Sequence, residues 1–469
     1  FQAEDGIRDC LLSRGLGDVY KRQDKELRSL LAQASSNLCD WFAESASQGP
    51  MPYSFELPEV YPAKEGVSND VLLSELQLLM DGSYRPSHPG SLAHLDPPPL
   101  SASIAGELIC AGLNNNLLAD ELSPSLSSLE RNLCKWFCHK LGLGDLSGGV
   151  AASGGSLSNL MALVMARNNS GLETDPKAVF FASHDCHVSF SKAFRIMGLK
   201  QESLQKVSTD ENGALKMSSL RTSLNKIKSQ GKKCFAVVAT AGTTVRGAID
   251  PLSEIAKFCK KENVWFHVDG SIGGIYGLSE MTSEIVQGLG FADSLTINPQ
   301  KLLGIPKTSS LLLVANKNHL SSTFSTGLPY VEPITGNDFH GGELGIQGTR
   351  SAETLKLWIG LRQLGEEGIE KILLGSIKRR CYLESIIDRS KFKIISGPLH
   401  LLAFTPINYS SSQASDWSLK TRNSLLANKF MLSRPMYGDR YYLKAVMGNP
   451  NTKFDDLKML ANLINHSIS

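Results

Sequence analysis

The stretch that decides the fold runs Ser294-Leu-Thr-Ile-Asn-Pro-Gln-Lys301 and continues through a loop containing Gly and Pro to the apolar run Leu311-Leu-Leu-Val314. Its pattern predicts a short buried strand, a tight turn that carries a lysine, and a second buried strand. A lone loop lysine usually lies on the surface, because lysine is almost never buried without a partner. A lysine held on a turn between two core strands is instead suited to Schiff-base chemistry, since desolvation makes its amine a usable nucleophile.

An acid stands upstream of this lysine, in Val264-Trp-Phe-His-Val-Asp269-Gly-Ser-Ile-Gly-Gly274. Here a hydrophobic strand ends in Asp269 and a cluster of glycines. Pyridoxal 5'-phosphate (PLP) needs such a pair, because a carboxylate keeps its pyridine nitrogen protonated while a lysine holds its aldehyde. Lys307 is a rival for the lysine position, but it lacks the Asn-Pro lead-in that precedes Lys301.

With these two motifs in this order, the chain resembles the group II PLP-dependent amino acid decarboxylases from about Arg85 to its C-terminus. That family includes the glutamate, aromatic amino acid, cysteine sulfinate and diaminobutyrate decarboxylases. The resemblance implies an α/β protein of PLP-dependent transferase-like fold type I, with helices on both sides of a large, mostly parallel sheet. It also implies a small C-terminal α+β domain and a helical N-terminal segment. From Ser147 onward, alternating strand and helix patterns independently indicate a parallel sheet covered on both faces.

The chain divides into four predicted parts. Residues 1–23 resemble the conceptual translation of a sequencing-adapter read-through, so we set them aside as non-native. Residues 24–110 form a helical segment that, by the resemblance, packs against the partner subunit of a homodimer. Residues 111–345 form the large PLP-binding domain, and residues 346–469 form the small C-terminal domain.

Several positions are predicted to contact the cofactor. A Gly/Ser turn ending at Gly155 and Ser156 opens a long amphipathic helix, and free N–H groups at a helix start make a natural phosphate cradle. The turn resembles the phosphate motif of the family. His187 matches the family histidine that stacks on the pyridine ring and helps position the substrate, so it is a catalytic as well as a cofactor-binding candidate. The other predicted cofactor contacts are Thr244, Ser271, Asn298 and Gln300.

Two of the candidate positions depart from the family pattern. Gln300 stands where the family has a histidine, and a glutamine cannot carry a proton at physiological pH. If that histidine acts as an acid or base, another group must act here; if it only packs on the cofactor, Gln300 suffices. Lys444 stands where relatives carry an arginine that holds the substrate carboxylate, and lysine keeps the charge but loses the bidentate fork. His94, in a proline-rich loop, is a second predicted substrate contact, with a plain loop role as its alternative.

The long Gly-rich stretch from Ser321 to Gly342 has no periodicity, which is typical of a functional lid or a disordered loop. Family members carry on such a loop a catalytic tyrosine, contributed across the dimer, that protonates the carbon left after CO2 departs. Tyr330 is the candidate for this tyrosine, with a plain loop role as its alternative and His340 as its substitute.

Composition limits the partners. The net charge of +2 gives no reason to expect a nucleic-acid or membrane-surface partner, and no apolar run is long enough to span a bilayer. The nine cysteines show no paired framework, which fits reduced thiols and a cytoplasmic location, although a transit peptide in the missing native N-terminus stays open. Cys134 and Cys138 share a helical pattern with core residues, so no metal site is predicted.

The expected activity is therefore decarboxylation of an L-amino acid to the corresponding amine and CO2, in a homodimer whose active site lies at the subunit interface. Fold and cofactor do not determine the reaction type. Aldehyde-forming oxidative decarboxylation, carbon–carbon lyase chemistry and transamination remain alternatives on the same scaffold. A catalytically degenerate family member is a further alternative, which the presence of Lys301, Asp269, His187 and Thr244 together disfavours.

Overall fold

The computed structural model describes residues 11–327 and 339–468. The α-helices in these ranges are α1 (Leu11–Ala43), α2 (Ser45–Gln48), α3 (Asn69–Asp81), α4 (Ser101–Leu113), α5 (Pro124–Lys140), α6 (Gly155–Asn169), α7 (Ser189–Ile196), α8 (Met217–Ser229), α9 (Leu252–Glu262), α10 (Glu280–Ser283), α11 (Asn318–Phe324), α12 (Thr354–Ile386), α13 (Ser411–Ala427) and α14 (Phe454–Asn465). The strands are β1 (Gly148–Ala152), β2 (Ala178–Ser183), β3 (Leu204–Val207), β4 (Lys233–Thr240), β5 (Trp265–Gly270), β6 (Ser294–Ile297), β7 (Ser310–Val314), β8 (Phe392–Ser396), β9 (Leu401–Pro406), β10 (Met436–Tyr437), β11 (Arg440–Tyr441) and β12 (Leu443–Val446).

Seven strands form the central sheet, in the order β1-β7-β6-β5-β4-β2-β3. The pairs from β6 through β3 are all parallel, and only β7 runs antiparallel, to β6 on one side and β1 on the other. Parallel neighbours require long crossovers, which helices such as α7, between β2 and β3, and α9, between β4 and β5, provide. The mostly parallel sheet predicted from the sequence is confirmed.

Both faces of this sheet are buried because successive side chains of a strand point to opposite sides. In β4, Val237 and Ala239 pack into the apolar cluster on one face, while Ala236 and Val238 pack into the cluster on the other. This two-sided burial explains why β4 and β7 are continuous apolar runs rather than alternating ones. Cys134 and Cys138 are buried in the first cluster, as predicted for core residues.

A second, antiparallel sheet in the order β12-β9-β8 lies toward the C-terminus. Its core is a separate apolar cluster that includes Phe392, Phe404, Trp417 and Leu457. The small α+β unit expected after the large sheet is therefore present. In the described parts of the chain, no helix has both the length and the apolar character needed to cross a membrane.

The predicted part boundaries do not coincide with element ends at two places. The boundary at 23/24 falls within α1, and the boundary at 110/111 falls within α4. Helix α4 instead packs along α12, where Ser103 Oγ donates a hydrogen bond to the Lys356 carbonyl at 2.9 Å. The N-terminal helices thus join directly onto the remainder of the described chain.

Candidate active site

A cavity of about 170 Å³ lies at the carboxyl ends of β4, β5 and β6. Ligands of open α/β sheets bind at this edge, where loops and helix starts surround the strand ends. Most of the predicted cofactor contacts line the cavity: Gly155, Ser156, His187, Thr244, Asp269, Ser271, Asn298 and Lys301. Their positions in the chain are far apart, so the fold itself brings them together.

Lys301 reaches the cavity from a single 3-10 turn, Pro299–Lys301, that follows β6 directly. Pro299 occupies the first position of the turn, where its fixed φ favours helical geometry and its missing N–H costs no hydrogen bond. Burial lowers the pKa of the Lys301 ammonium, and the carboxylates of Asp269 and Asp96 only partly oppose this effect. The amine is therefore easier to deprotonate than that of an ordinary lysine, as a nucleophile requires.

Asp269 ends β5 and is 4% exposed. Its Oδ2 accepts a hydrogen bond from Asn159 Nδ2 at 3.0 Å, and its Oδ1 accepts one from the Ser271 N–H at 3.1 Å. Burial alone would raise the pKa of this carboxyl, but the Lys301 ammonium and a hydrogen bond from the Ser271 side chain hold it below its usual value. The cavity therefore holds an ionised acid close to a perturbed amine.

The start of α6 forms another wall of the cavity. A Cβ built on Gly155 would lie 2.8 Å from Ser271 Oγ and 2.9 Å from Asn298 Nδ2, so only glycine fits between these two polar side chains. Gly154, just before it, has a φ of 109°, which L-residues rarely adopt. The first N–H groups of a helix have no intrahelical partner, and here they lie beside a hydroxyl and an amide. This corner suits a phosphate.

His187 borders the cavity between β2 and α7, where its Nδ1 accepts a hydrogen bond from the Ser189 N–H at 3.2 Å. Because Nδ1 accepts, the proton of the neutral ring is assigned to Nε2. Burial lowers the pKa of His187. A neutral, half-buried imidazole is consistent with a ring that packs against a flat cofactor.

Thr240 and Asn159 are among the cavity-lining residues that were not predicted from the sequence. Thr240 has a buried hydroxyl without a hydrogen-bond partner among the described residues, and a bound polar group could satisfy it. Asn159 supports the Asp269 carboxylate. The sequence could have indicated this residue, because a polar residue four positions after Gly155 lies on the face of α6 that meets the cavity. The acid, the amine, the helix start and the unpaired hydroxyl together fit PLP.

Other predicted site residues lie elsewhere. The Gln300 amide oxygen accepts a hydrogen bond from the Ser309 N–H at 2.6 Å, so this side chain holds the following loop and does not line the cavity. His94 contacts the Tyr84 ring edge to face at 6.0 Å between centroids. His340 Nδ1 accepts from the Asp120 N–H at 3.4 Å, a structural contact. Tyr330 lies outside the described residues.

Lys444 approaches from the small domain. Its Nζ donates a hydrogen bond to the Thr244 carbonyl at 3.3 Å, which joins β12 to a cavity-lining loop. Burial, and next the Lys301 ammonium, lower the pKa of Lys444 to about 8. No carboxylate forms an ion pair with Lys444 in the described part of the chain.

Comparison with known proteins agrees with this site. The family profile described as "Pyridoxal-dependent decarboxylase conserved domain" matches residues 53–405. The L-aspartate decarboxylase dtxS4 of Metarhizium robertsii is 32% identical over 355 residues, which cover 73% of this chain and 70% of that protein. The aromatic-L-amino-acid decarboxylase of Bacillus atrophaeus is 29% identical over 379 residues, or 79% of each protein. The crystal structure of mouse CSAD in apo form matches with a TM-score of 0.87 at 25% identity, covering 95% of this chain and 99% of that one.

The family match spans the helix start at Gly155, the acid at the end of β5 and the lysine turn after β6. It confirms the predictions of the family, the fold class, the cofactor and the general reaction. The chain therefore belongs to the pyridoxal-dependent decarboxylase family, whose members are PLP-dependent carboxy-lyases that act on amino acids.

Proposed function

We propose that this chain removes the α-carboxylate of an L-amino acid, with Lys301 and Asp269 as the groups that bracket the cofactor. The observation that carries the proposal is the pairing of a buried amine of lowered pKa with a buried, ionised acid in one cavity of about 170 Å³. Burying a charged side chain costs free energy unless a partner or a function compensates for it. Packing of the core alone therefore does not explain why these two charged groups are buried.

Bound PLP supplies an electron sink for the charge that remains on Cα when CO2 leaves. Lys301 would hold the cofactor through its aldehyde. Asp269 would hold the proton on the ring nitrogen, and the start of α6 at Gly155 and Ser156, with Asn298, would bind the phosphate. His187 would pack on the ring, with Thr244 and Ser271 as further contacts. The protein thus contributes orientation and electrostatics.

The experiment that tests this function is a measurement of products from the purified, PLP-loaded protein. The twenty common amino acids, diaminobutyrate, ornithine and cysteine sulfinate would be offered one at a time. Release of CO2 with an equal amount of amine supports decarboxylation. An aldehyde with hydrogen peroxide, or exchange of the amino group with a keto acid, would instead assign one of the alternative reactions.

We further propose that Lys444 binds the substrate carboxylate. Its ammonium is largely desolvated, it has no acidic partner among the described side chains, and it lies near enough to Lys301 for the two charges to interact. A buried cation of this kind is stabilised by an anionic ligand. Burial, and next the nearby Lys444 ammonium, lower the pKa of His94. Because it lies near Lys444, His94 is a second proposed substrate contact.

Substrate binding is expected to weaken above pH 8. Because the pKa of Lys444 is lowered to about 8, its charge is present below that pH and is lost as the pH rises through it. We expect kcat/KM to fall about tenfold for each pH unit above 8, which is the alkaline limb of the pH profile. In Lys444→Arg the charge persists to high pH, so the limb should disappear, whereas Lys444→Met should raise KM about tenfold or more at pH 7. An unchanged pH profile in Lys444→Arg would contradict the assignment.

We also propose that two copies of the chain form a dimer through the N-terminal helices. Large apolar side chains on α3 and α4 are 39% to 54% exposed: Leu72, Leu76, Leu79, Leu108, Ile109 and Leu113. Large apolar side chains exposed in this number on two helices favour a surface that a partner covers. The resemblance to a dimeric family supports a second copy as the occupant, and Tyr330, which lies outside the described residues, stays the proposed proton donor.

Light scattering during gel filtration is expected to give twice the chain mass of 50.9 kDa. Leu76→Glu combined with Leu79→Glu should yield monomers, since two charges would have to be buried at the interface. Leu419, 49% exposed on α13 of the small domain, provides the control, and Leu419→Glu should remain dimeric. Wild-type protein that elutes at 50.9 kDa would rule out this interface.

A cytoplasmic location is proposed as well. The described cysteines are all free thiols, which is the usual state in a reducing compartment. Imaging of the full-length native chain with a fluorescent tag would test the location.

A further inference from the structure

A row of polar side chains continues behind Asp269, inside the layer between the sheet and α6. Trp265, His267 and Asp269 alternate along β5 and therefore point to the same face of the sheet. Ser294 on β6 is paired with His267 in the strand register, and Asn159 comes from α6. None of the five is more than 7% exposed.

These side chains form one continuous chain of hydrogen bonds. Trp265 Nε1 lies 2.8 Å from Ser294 Oγ, and Ser294 Oγ lies 2.9 Å from His267 Nδ1. His267 Nε2 lies 3.0 Å from Asn159 Oδ1, and Asn159 Nδ2 lies 3.0 Å from Asp269 Oδ2. All four distances are within the ordinary hydrogen-bond range.

The chemistry of the two ends determines the direction of every bond. An indole N–H can only donate, and an ionised carboxylate can only accept. The Asn159 amide must therefore turn its NH2 toward Asp269 and its oxygen toward His267. His267 Nε2 must then carry a hydrogen, which leaves Nδ1 to accept from the Ser294 hydroxyl. All four bonds donate toward the cofactor acid.

This direction requires a neutral His267. If both ring nitrogens carried hydrogens, Nδ1 would donate to the Ser294 carbonyl at 3.1 Å, and the Ser294 hydroxyl could no longer donate to the ring. Burial lowers the pKa of His267 to about 4, with Asp269 and the Ser294 carbonyl opposing the shift. The ring is therefore neutral at physiological pH, and the chain of donors is intact.

We propose that Trp265, Ser294, His267 and Asn159 form a positioning relay that orients the Asp269 carboxylate and keeps it ionised against the cofactor ring nitrogen. Asn159 anchors one carboxylate oxygen, the Ser271 N–H anchors the other, and the relay fixes the Asn159 amide. Bonds that donate in one direction polarise one another, so each strengthens the last donor at the carboxylate. The relay rests on the proposed role of Asp269.

The relay ends at Trp265, at the amino end of β5, which is the edge of the sheet opposite the cavity. There the Trp265 ring packs edge to face against His319 at 5.1 Å between centroids, beside a groove of about 1070 Å³. The polar row therefore runs along one face of the sheet, from the amino end of β5 to its carboxyl end. A packing role alone would not need donors and acceptors matched at every step through an otherwise apolar layer.

The first test is made on protein without cofactor. Nitrogen-15 NMR of histidine-labelled protein reports the tautomer of each ring, with His267→Gln identifying the His267 signal. We expect the Nε2–H tautomer for His267 across pH 6 to 8, and a shifted signal in Ser294→Ala. An Nδ1–H or doubly protonated His267 would overturn the relay. This outcome is independent of whether the protein proves to be a decarboxylase.

The second test measures PLP affinity by titration of the protein without cofactor. His267→Phe fills a similar space but can neither donate nor accept hydrogen bonds. It should weaken PLP binding about tenfold, because the Asn159 amide that donates to the charged Asp269 carboxylate is no longer held in place. In His267→Gln the amide can donate to Asn159 and accept from Ser294, so affinity should recover to within about threefold of wild type. Thr296→Val is the matched control. Thr296 on β6 is paired with Asp269 on β5, and its buried hydroxyl has no hydrogen-bond partner among the described residues. Loss of this hydroxyl should therefore leave PLP affinity unchanged.

A double-mutant cycle separates action through Asp269 from general damage. With Asp269→Asn in place, adding His267→Phe should weaken PLP binding less than about twofold, because the group the relay supports is gone. Equal losses in both backgrounds would overturn the proposal, as would equal losses in His267→Phe and Thr296→Val. If neither the wild-type protein nor any variant binds PLP, the cofactor assignment fails. The NMR result would still decide whether the relay exists.

Discussion

Lys301→Ala is expected to lower kcat by at least about 10³-fold, because the one amine among the described cavity-lining residues is removed. No other lining group can bond to the PLP aldehyde and then give way to the substrate amine. The visible absorbance of the loaded wild-type protein should also be lost. Product release and absorbance are measured on the same preparation, and thermal unfolding confirms that the variant is folded.

Lys307→Ala is the matched control for this result. Lys307 lies six positions later on the same loop, its side chain is 60% exposed, and it pairs with Asp96 at 3.1 Å. An exposed ion pair contributes about 0 to 1 kcal/mol, so activity should stay within about twofold of wild type. The assignment of the catalytic lysine would be overturned if Lys307→Ala lost the absorbance band and Lys301→Ala kept it.

Asp269→Asn is expected to lower kcat by about 10² to 10³-fold, although the asparagine side chain has nearly the same shape as the aspartate. A neutral amide cannot hold a proton on the ring nitrogen by charge, so the ring becomes a weaker electron sink. The same change has a second consequence. The Asp269 carboxylate raises the pKa of Lys301 against the effect of burial, so its removal should lower that pKa further. The pH dependence of the rate at which cofactor-free protein binds PLP should shift toward lower pH.

Asp293→Asn provides the control for the loss of an acid from the same pair of strands. Asp293 lies just before β6, and its Oδ2 accepts a hydrogen bond from the Phe266 N–H at 2.7 Å, away from the cavity. An asparagine oxygen can still accept this bond, so kcat should remain unchanged. If Asp269→Asn were as active as Asp293→Asn, Asp269 would not be the acid that serves the cofactor.

Some site residues were recognisable from local patterns. Lys301 and Asp269 each follow a short apolar run, and such runs predict strands whose ends meet at one sheet edge. Gly155 and Ser156 open an amphipathic helix, so the helix start was visible as well. Gln300 was predicted as a cofactor contact because it precedes Lys301. In the structure its amide oxygen instead accepts a hydrogen bond from the Ser309 N–H, a contact that the local sequence does not indicate.

Sequence alone determined the type and order of the elements, the lysine turn, the strand-end acid and the helix start, because strand and helix periods and turn chemistry are local properties. Only the tertiary structure decided that Ser294 stands beside His267, that Asn159 reaches Asp269, and that Lys444 reaches Thr244. Those contacts depend on strand register and on how a helix or a second sheet packs, and a shift of one residue would turn each side chain to another face. Residues distant in the chain therefore meet for reasons that no local pattern contains.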